Sequence, residues 1–164
     1  GAFMKDYAHL LEDDPAYAEK AKRFSSKIKD VMEFFSEQKP ELKFNLELES
    51  ELTTYHDACH LIHAQKISTQ PREVIKSFPG VKYIELEEAS WCCGSAGIYN
   101  VVRYEDAVKQ LKRKMNNIKN TGAKIVLTGN PGCMGQIKHG TKKFNVDVEV
   151  LHPVTLIKRL LNSK

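Results

Sequence analysis

The stretch YEDAVKQLKRKMNNIKNTGAKIVLTGNPGC, Tyr104–Cys133, decides the fold. Ala107, Val108, Leu111, Met115 and Ile118 recur at helical spacing and form one apolar face, and Gly122 is a helix stop. Lys124–Leu127 then switches to the short β-branched pattern of a buried strand. The turn Thr128–Gly132 follows at once and delivers Cys133 to the start of another helix. Helix, strand, tight turn and helix in close order are the signature of an α/β protein with a parallel sheet.

Working outward, Glu51–His56, Lys82–Leu86 and Val146–Leu151 show the same strand composition, and a final helix spans Pro153–Leu161. The expected architecture is a mainly parallel, four-stranded sheet flanked by helices. Upstream the reading is helical only. Asp14-Pro15 resembles an N-cap with proline at the first helical position, and Ala21, Phe24, Ile28, Val31, Met32 and Phe35 make one apolar stripe. Ser36–Phe44, containing Pro40, reads as a connection. Residues 1–40 are thus expected to form an N-terminal helical extension, and residues 45–164 the α/β domain.

Length and composition bound the function. A chain of 164 residues holds one core, or one core with an extension, and 41% apolar with 28% charged residues is ordinary for a globular protein. Apolar runs are too short to span a membrane, and Lys5, Asp6 and Glu12 interrupt anything resembling a signal peptide. A cytoplasmic location is the default expectation, where cysteines are reduced, metal-bound or reactive. The net charge of +4 is concentrated in Lys109, Lys112, Arg113, Lys114 and Lys119. With no aromatic residues interleaved, that run reads as a solvated helix face, and no nucleic-acid partner is expected.

The chemistry lies in four cysteines. Cys59, the pair Cys92-Cys93 and Cys133 each follow an expected strand, and ligands of open parallel sheets gather beyond the carboxyl ends of the strands. Thiols some 30 to 40 residues apart in sequence can therefore converge in space. Gly94 and Gly97 supply the freedom to turn adjacent sulfurs one way, and Asn130-Pro131-Gly132 aims Cys133 at a helix N-terminus, where thiolate is favoured. The four cysteines are read as metal ligands. His56, His60 and His63 bracket Cys59, and His60, beside it, is the candidate nitrogen ligand. Trp91 precedes the pair, as a shield for the centre or as packing, and His9, His139 and His152 read as structural. Four sulfurs suit either zinc or an iron–sulfur cluster, and adjacent cysteines also suit thiol–disulfide exchange. There is no glycine-rich dinucleotide fingerprint and no catalytic acid or base to assign.

Tyr55-His56-Asp57-Ala58-Cys59-His60, Cys92-Cys93-Gly94-Ser95-Ala96-Gly97 and Asn130-Pro131-Gly132-Cys133, with Ala64-Gln65 and Gln70-Pro71-Arg72, resemble the cysteine-rich CCG domain family over about residues 51–161. Among its members the chain looks most like the C-terminal repeat of the glycolate oxidase iron–sulfur subunit. It is also similar to lactate-utilisation iron–sulfur proteins and to the CCG-containing subunit of heterodisulfide reductase. The resemblance implies that Cys59, Cys92, Cys93 and Cys133 bind a [4Fe–4S] or similar centre, with zinc as the alternative metal. It implies electron relay from a flavin-containing dehydrogenase subunit that oxidises glycolate or lactate, in a complex with peripheral membrane association through a quinone acceptor. The alternatives are a zinc-stapled assembly domain and a heterodisulfide reductase site. It further implies a longer native chain, in which residues 1–37 are the tail of a preceding repeat and a ferredoxin-like module lies further upstream. One departure stands out. The family pattern ends in Cys-x-x-Cys, and here the last position is Gln136, which argues against a five-cysteine double cluster.

Overall fold

The structure is a computed structural model that describes residues 1–44 and 51–161. The start of the expected α/β domain, residues 45–50, and its last three residues lie outside the described residues.

Three strands, β1 (Thr53–Tyr55), β2 (Ile125–Leu127) and β3 (Glu149–Leu151), form a wholly parallel sheet in the order β1-β2-β3. Thr53 pairs with Ile125, and Ile125 with Glu149. The expected fourth strand is a correction. Lys82–Leu86 runs beside β1 but makes a single parallel bridge, Tyr83 with Thr53. Thr53 N–H donates to the Lys82 carbonyl at 2.8 Å, and Ile84 N–H to the Thr53 carbonyl at 2.9 Å. The ladder stops there because the Thr54 hydroxyl takes the Ile84 carbonyl at 2.8 Å. A parallel continuation would give that acceptor to the next N–H of β1.

Side-chain alternation along these short strands divides the core into two layers. Val126 and Val150 face the first layer, built on Leu111, Met115 and Ile118 of α7 (Tyr104–Thr121) and Ile137 of α8 (Pro131–Lys143). Tyr55, Ile125, Leu127 and Leu151 face the second. There they meet Val74 and Ile75 of α5 (Gln70–Ser77) and Leu156, Ile157 and Leu160 of α9 (Pro153–Leu161). Helix α7 ends at Gly122 in the left-handed conformation, as the sequence predicts.

Lys114 departs from the reading of a solvated basic face, because it is 0% exposed. It sits three residues after Leu111 and four before Ile118, on the apolar stripe, so helical geometry carries it inward with its neighbours.

The N-terminal helices are α1 (Ala2–Lys5), α2 (Tyr7–Leu10), α3 (Ala18–Ser25) and α4 (Val31–Gln38), and a short α6 (Tyr99–Val102) leads into α7. The single stripe read from Ala21 to Phe35 is broken between α3 and α4. Asp30 starts a new helix with a capping box, accepting from Met32 N–H at 2.9 Å while its own N–H donates to Glu33 at 3.0 Å. Asp14 closes a turn ahead of α3, accepting from Ala16 N–H at 2.8 Å. Met32 of α4 is buried in the second core layer, which docks this helical region on the α/β body.

Candidate metal centre

Three segments leave the carboxyl side of the sheet region and meet. Beyond β1 the chain runs through His56 and Asp57 to Cys59, which opens a π-helical turn, His60–Ala64. Beyond β2 it turns through Asn130 into α8. The Asn130 side chain accepts from Cys133 N–H at 3.1 Å, and Pro131 occupies the first turn. The third segment follows Lys82–Leu86 and carries Cys92 and Cys93.

That third loop has an unusual backbone. Glu88, Gly94, Ala96 and Gly97 all have positive φ, at 52°, 88°, 32° and 63°. A Cβ on Gly94 would lie 2.5 Å from the Ala107 carbonyl oxygen of α7, so only glycine fits. Helix α7 grips the loop along its length. Asn117 donates to the Glu87 carbonyl at 3.1 Å, Arg113 to the Glu88 carboxylate at 2.8 Å, and the buried Lys114 ammonium to the Glu88 and Ala89 carbonyls. Trp91 is 41% exposed, donates to Gln110 at 2.7 Å and lies under the Arg113 guanidinium. It packs on α7 and also lines a groove together with Cys59 and Cys92.

All four cysteines line one cavity of about 230 Å³, together with His56, Asp57, His60, Ser95 and Asn130. They are free thiols, with Cys93 and Cys133 buried and Cys59 and Cys92 half-buried. Gly94 N–H donates to the Cys92 sulfur at 3.3 Å. A hydrogen bond with Cys93, reinforced by burial, raises the Cys92 thiol well above its ordinary value. Contact with Cys133 and burial push Cys93 up to about 12. Without a metal the pair is protonated, so metal binding must displace protons and tighten as pH rises.

His60, singled out in the sequence as a candidate nitrogen ligand, lines the cavity and is exposed. The ligand atom of His56 lies with those of Cys93 and Cys133 in a group all within 4.8 Å of one another. It is 1% exposed, and burial, aided by the positive charge of Lys114, pushes its pKa down to about 3, so the ring is neutral. Its Nδ1 is buried with no hydrogen-bond partner among the described residues. The sequence signal for His56 is its position directly after a strand ending at the cavity. For Lys114 it is the apolar periodicity of α7.

Asp57 is held on the far side. Arg72 of α5 donates to both of its oxygens, at 2.9 and 2.8 Å, and also to Glu85 at 2.7 Å. Nothing in the sequence alone pairs Arg72 with Asp57, which are 15 positions apart. The network ties the Cys59 segment to α5 and to the Lys82–Leu86 segment.

Residues 53–138, just over half of the chain, match the family described as CCG, cysteine-rich domain. The chain belongs to the CCG cysteine-rich domain family. It is 44% identical over 154 residues to the probable glycolate oxidase iron-sulfur subunit of Bacillus subtilis, covering 92% of this chain and 34% of that protein. It is 28% identical over 164 residues to lactate utilization protein A of Bacillus licheniformis, covering 99% of this chain and 67% of that one. Identity to the glycolate oxidase iron-sulfur subunit of Escherichia coli is 28% over 165 residues, 100% of this chain and 38% of the relative. The chain thus spans well under half of two of these curated relatives and two thirds of the other. Among the described residues no helix is long and apolar enough to cross a membrane.

The donor set fits a thiophilic metal. Four sulfurs and one unpartnered imidazole nitrogen in a mostly buried pocket match the preferences of zinc and of iron in iron–sulfur clusters, and mismatch those of hard, oxygen-seeking cations.

Proposed function

We propose that this cysteine-rich domain binds an iron–sulfur centre, of the [4Fe–4S] kind, through Cys59, Cys92, Cys93 and Cys133, and serves electron transfer in an oxidoreductase complex. The observation that carries the reading is the convergence of four free thiols from three separate segments in one cavity. The names of the relatives supply the context. A flavin-containing dehydrogenase subunit that oxidises a 2-hydroxyacid such as glycolate or lactate is the electron donor, and the complex works in the cytoplasm, with peripheral membrane association where the acceptor is a quinone. The remaining length of the relatives accommodates a preceding repeat, of which residues 1–40 are the tail, and a ferredoxin module.

An iron–sulfur centre supplies one-electron chemistry. The residues of this chain hold and surround it. The two buried cysteines keep water away, α7 fixes the loop that bears Cys92 and Cys93, and the Lys114 ammonium offsets negative charge on the sulfurs. No residue here is assigned an acid–base role. Thiol–disulfide exchange fits less well, because an attacking cysteine requires a lowered pKa and Cys92 and Cys93 are both raised. Zinc is the alternative metal that the donors admit, and the absence of acid-labile sulfide would mark it.

Replacing Cys93 by serine in the full-length protein tests the assignment. Metal analysis after anaerobic purification is expected to show loss of this centre's iron. A full complement of iron in Cys93→Ser would overturn the ligand set.

A further inference from the structure

A buried imidazole with an unpaired nitrogen is costly, because a polar group taken out of water without a partner forfeits its hydrogen bonds. His56 is such a group, and it stands in the wall of the cavity that the cysteines line. A neutral imidazole keeps a lone pair on one ring nitrogen, which is the form that binds a metal.

The group formed by His56, Cys93 and Cys133 has its ligand atoms within 4.8 Å of one another, close enough for all three to face one metal centre. Other nearby donors are otherwise engaged. Gln136, one turn beyond Cys133, accepts from Asn100 at 3.0 Å and lines a neighbouring groove instead of this cavity. His60 is exposed.

We propose that His56 is itself a ligand, giving the centre a nitrogen donor beside the sulfurs of Cys93 and Cys133 in the position otherwise taken by one of the half-buried thiols, Cys59 or Cys92. The inference rests on the proposed function and sharpens it from an all-thiolate centre to a mixed sulfur–nitrogen one. Such a centre has a higher reduction potential than its all-cysteine counterpart, as replacement of thiolate by imidazole produces in other iron–sulfur proteins.

The test uses full-length protein with 15N-labelled histidine, purified anaerobically, its centre reduced and examined by pulsed electron paramagnetic resonance. The expected result is the hyperfine coupling of a directly bound imidazole nitrogen, lost in His56→Phe. Absence of any such coupling in the unmodified protein overturns the proposal, as does its persistence in His56→Phe. Should His56→Phe fail to hold its centre, His56→Cys decides: a retained centre with a lowered potential supports ligation, and an unchanged potential contradicts it. Iron and sulfide analysis of the same samples separates the two readings. If neither is present, the iron–sulfur function fails first. X-ray absorption of the zinc-loaded protein then judges His56 alone, one nitrogen with the sulfurs supporting it and sulfur only overturning it.

Discussion

Cys133 and the Cys92–Cys93 pair reach one cavity from backbones of opposite character. Cys133 sits in the first turn of a regular helix, its N–H held by the Asn130 cap. Cys92 and Cys93 sit in a segment with four positive φ angles between Glu88 and Gly97, pinned by side chains of α7. The first arrangement is built by neighbours in sequence, the second by a helix that comes later in the chain. Local rules give a cysteine a direction cheaply, but turning two adjacent sulfurs into one cavity needs tertiary support.

That contrast predicts unequal costs for small substitutions. The largest is Gly94→Ala. Its Cβ would meet the Ala107 carbonyl at 2.5 Å in a backbone with φ of 88°, so the loop must leave α7. A loss of about 3 kcal/mol or more in urea denaturation is expected, together with loss of metal binding. Asn130→Ala removes the cap before Cys133 and is expected to cost about 1 kcal/mol with the metal content retained. Gly97→Ala is comparable to the cap removal. Its φ is 63° but nothing lies within 4 Å of the new Cβ, so only the left-handed backbone counts, at roughly 1 kcal/mol. Equal midpoints for Gly94→Ala and Gly97→Ala would break the comparison, because the close approach to α7 would then count for nothing.

Legibility in the sequence follows the same division. Helix α7, its Gly122 stop, strand β2 and the Asn-Pro-Gly turn obey local rules and are readable from the residues. So is the gathering of the four cysteines, because strand–helix alternation dictates where strand ends lie. Lys82–Leu86 misleads because its composition is that of a strand and only a tertiary detail, Thr54 taking the Ile84 carbonyl, halts its pairing. Lys114 misleads when residue type is weighed above its place on the apolar stripe. His60 stands out in the sequence through its adjacency to Cys59, whereas His56 joins the cavity wall from the end of a strand, and the cavity is lined by both. The clasp of Arg72 on Asp57 joins separate segments and has no local sign at all.

Under the proposed function, the cavity of Cys59, Cys92, Cys93 and Cys133 holds an iron–sulfur centre. The most direct measurement is anaerobic purification of this chain, reconstitution with ferrous iron and sulfide, and analysis of iron, acid-labile sulfide and visible absorption. Iron and sulfide are expected in matched, stoichiometric amounts with broad thiolate-to-iron absorption, all lost in Cys93→Ser. Colourless protein that takes up one zinc per chain and no sulfide would contradict that function.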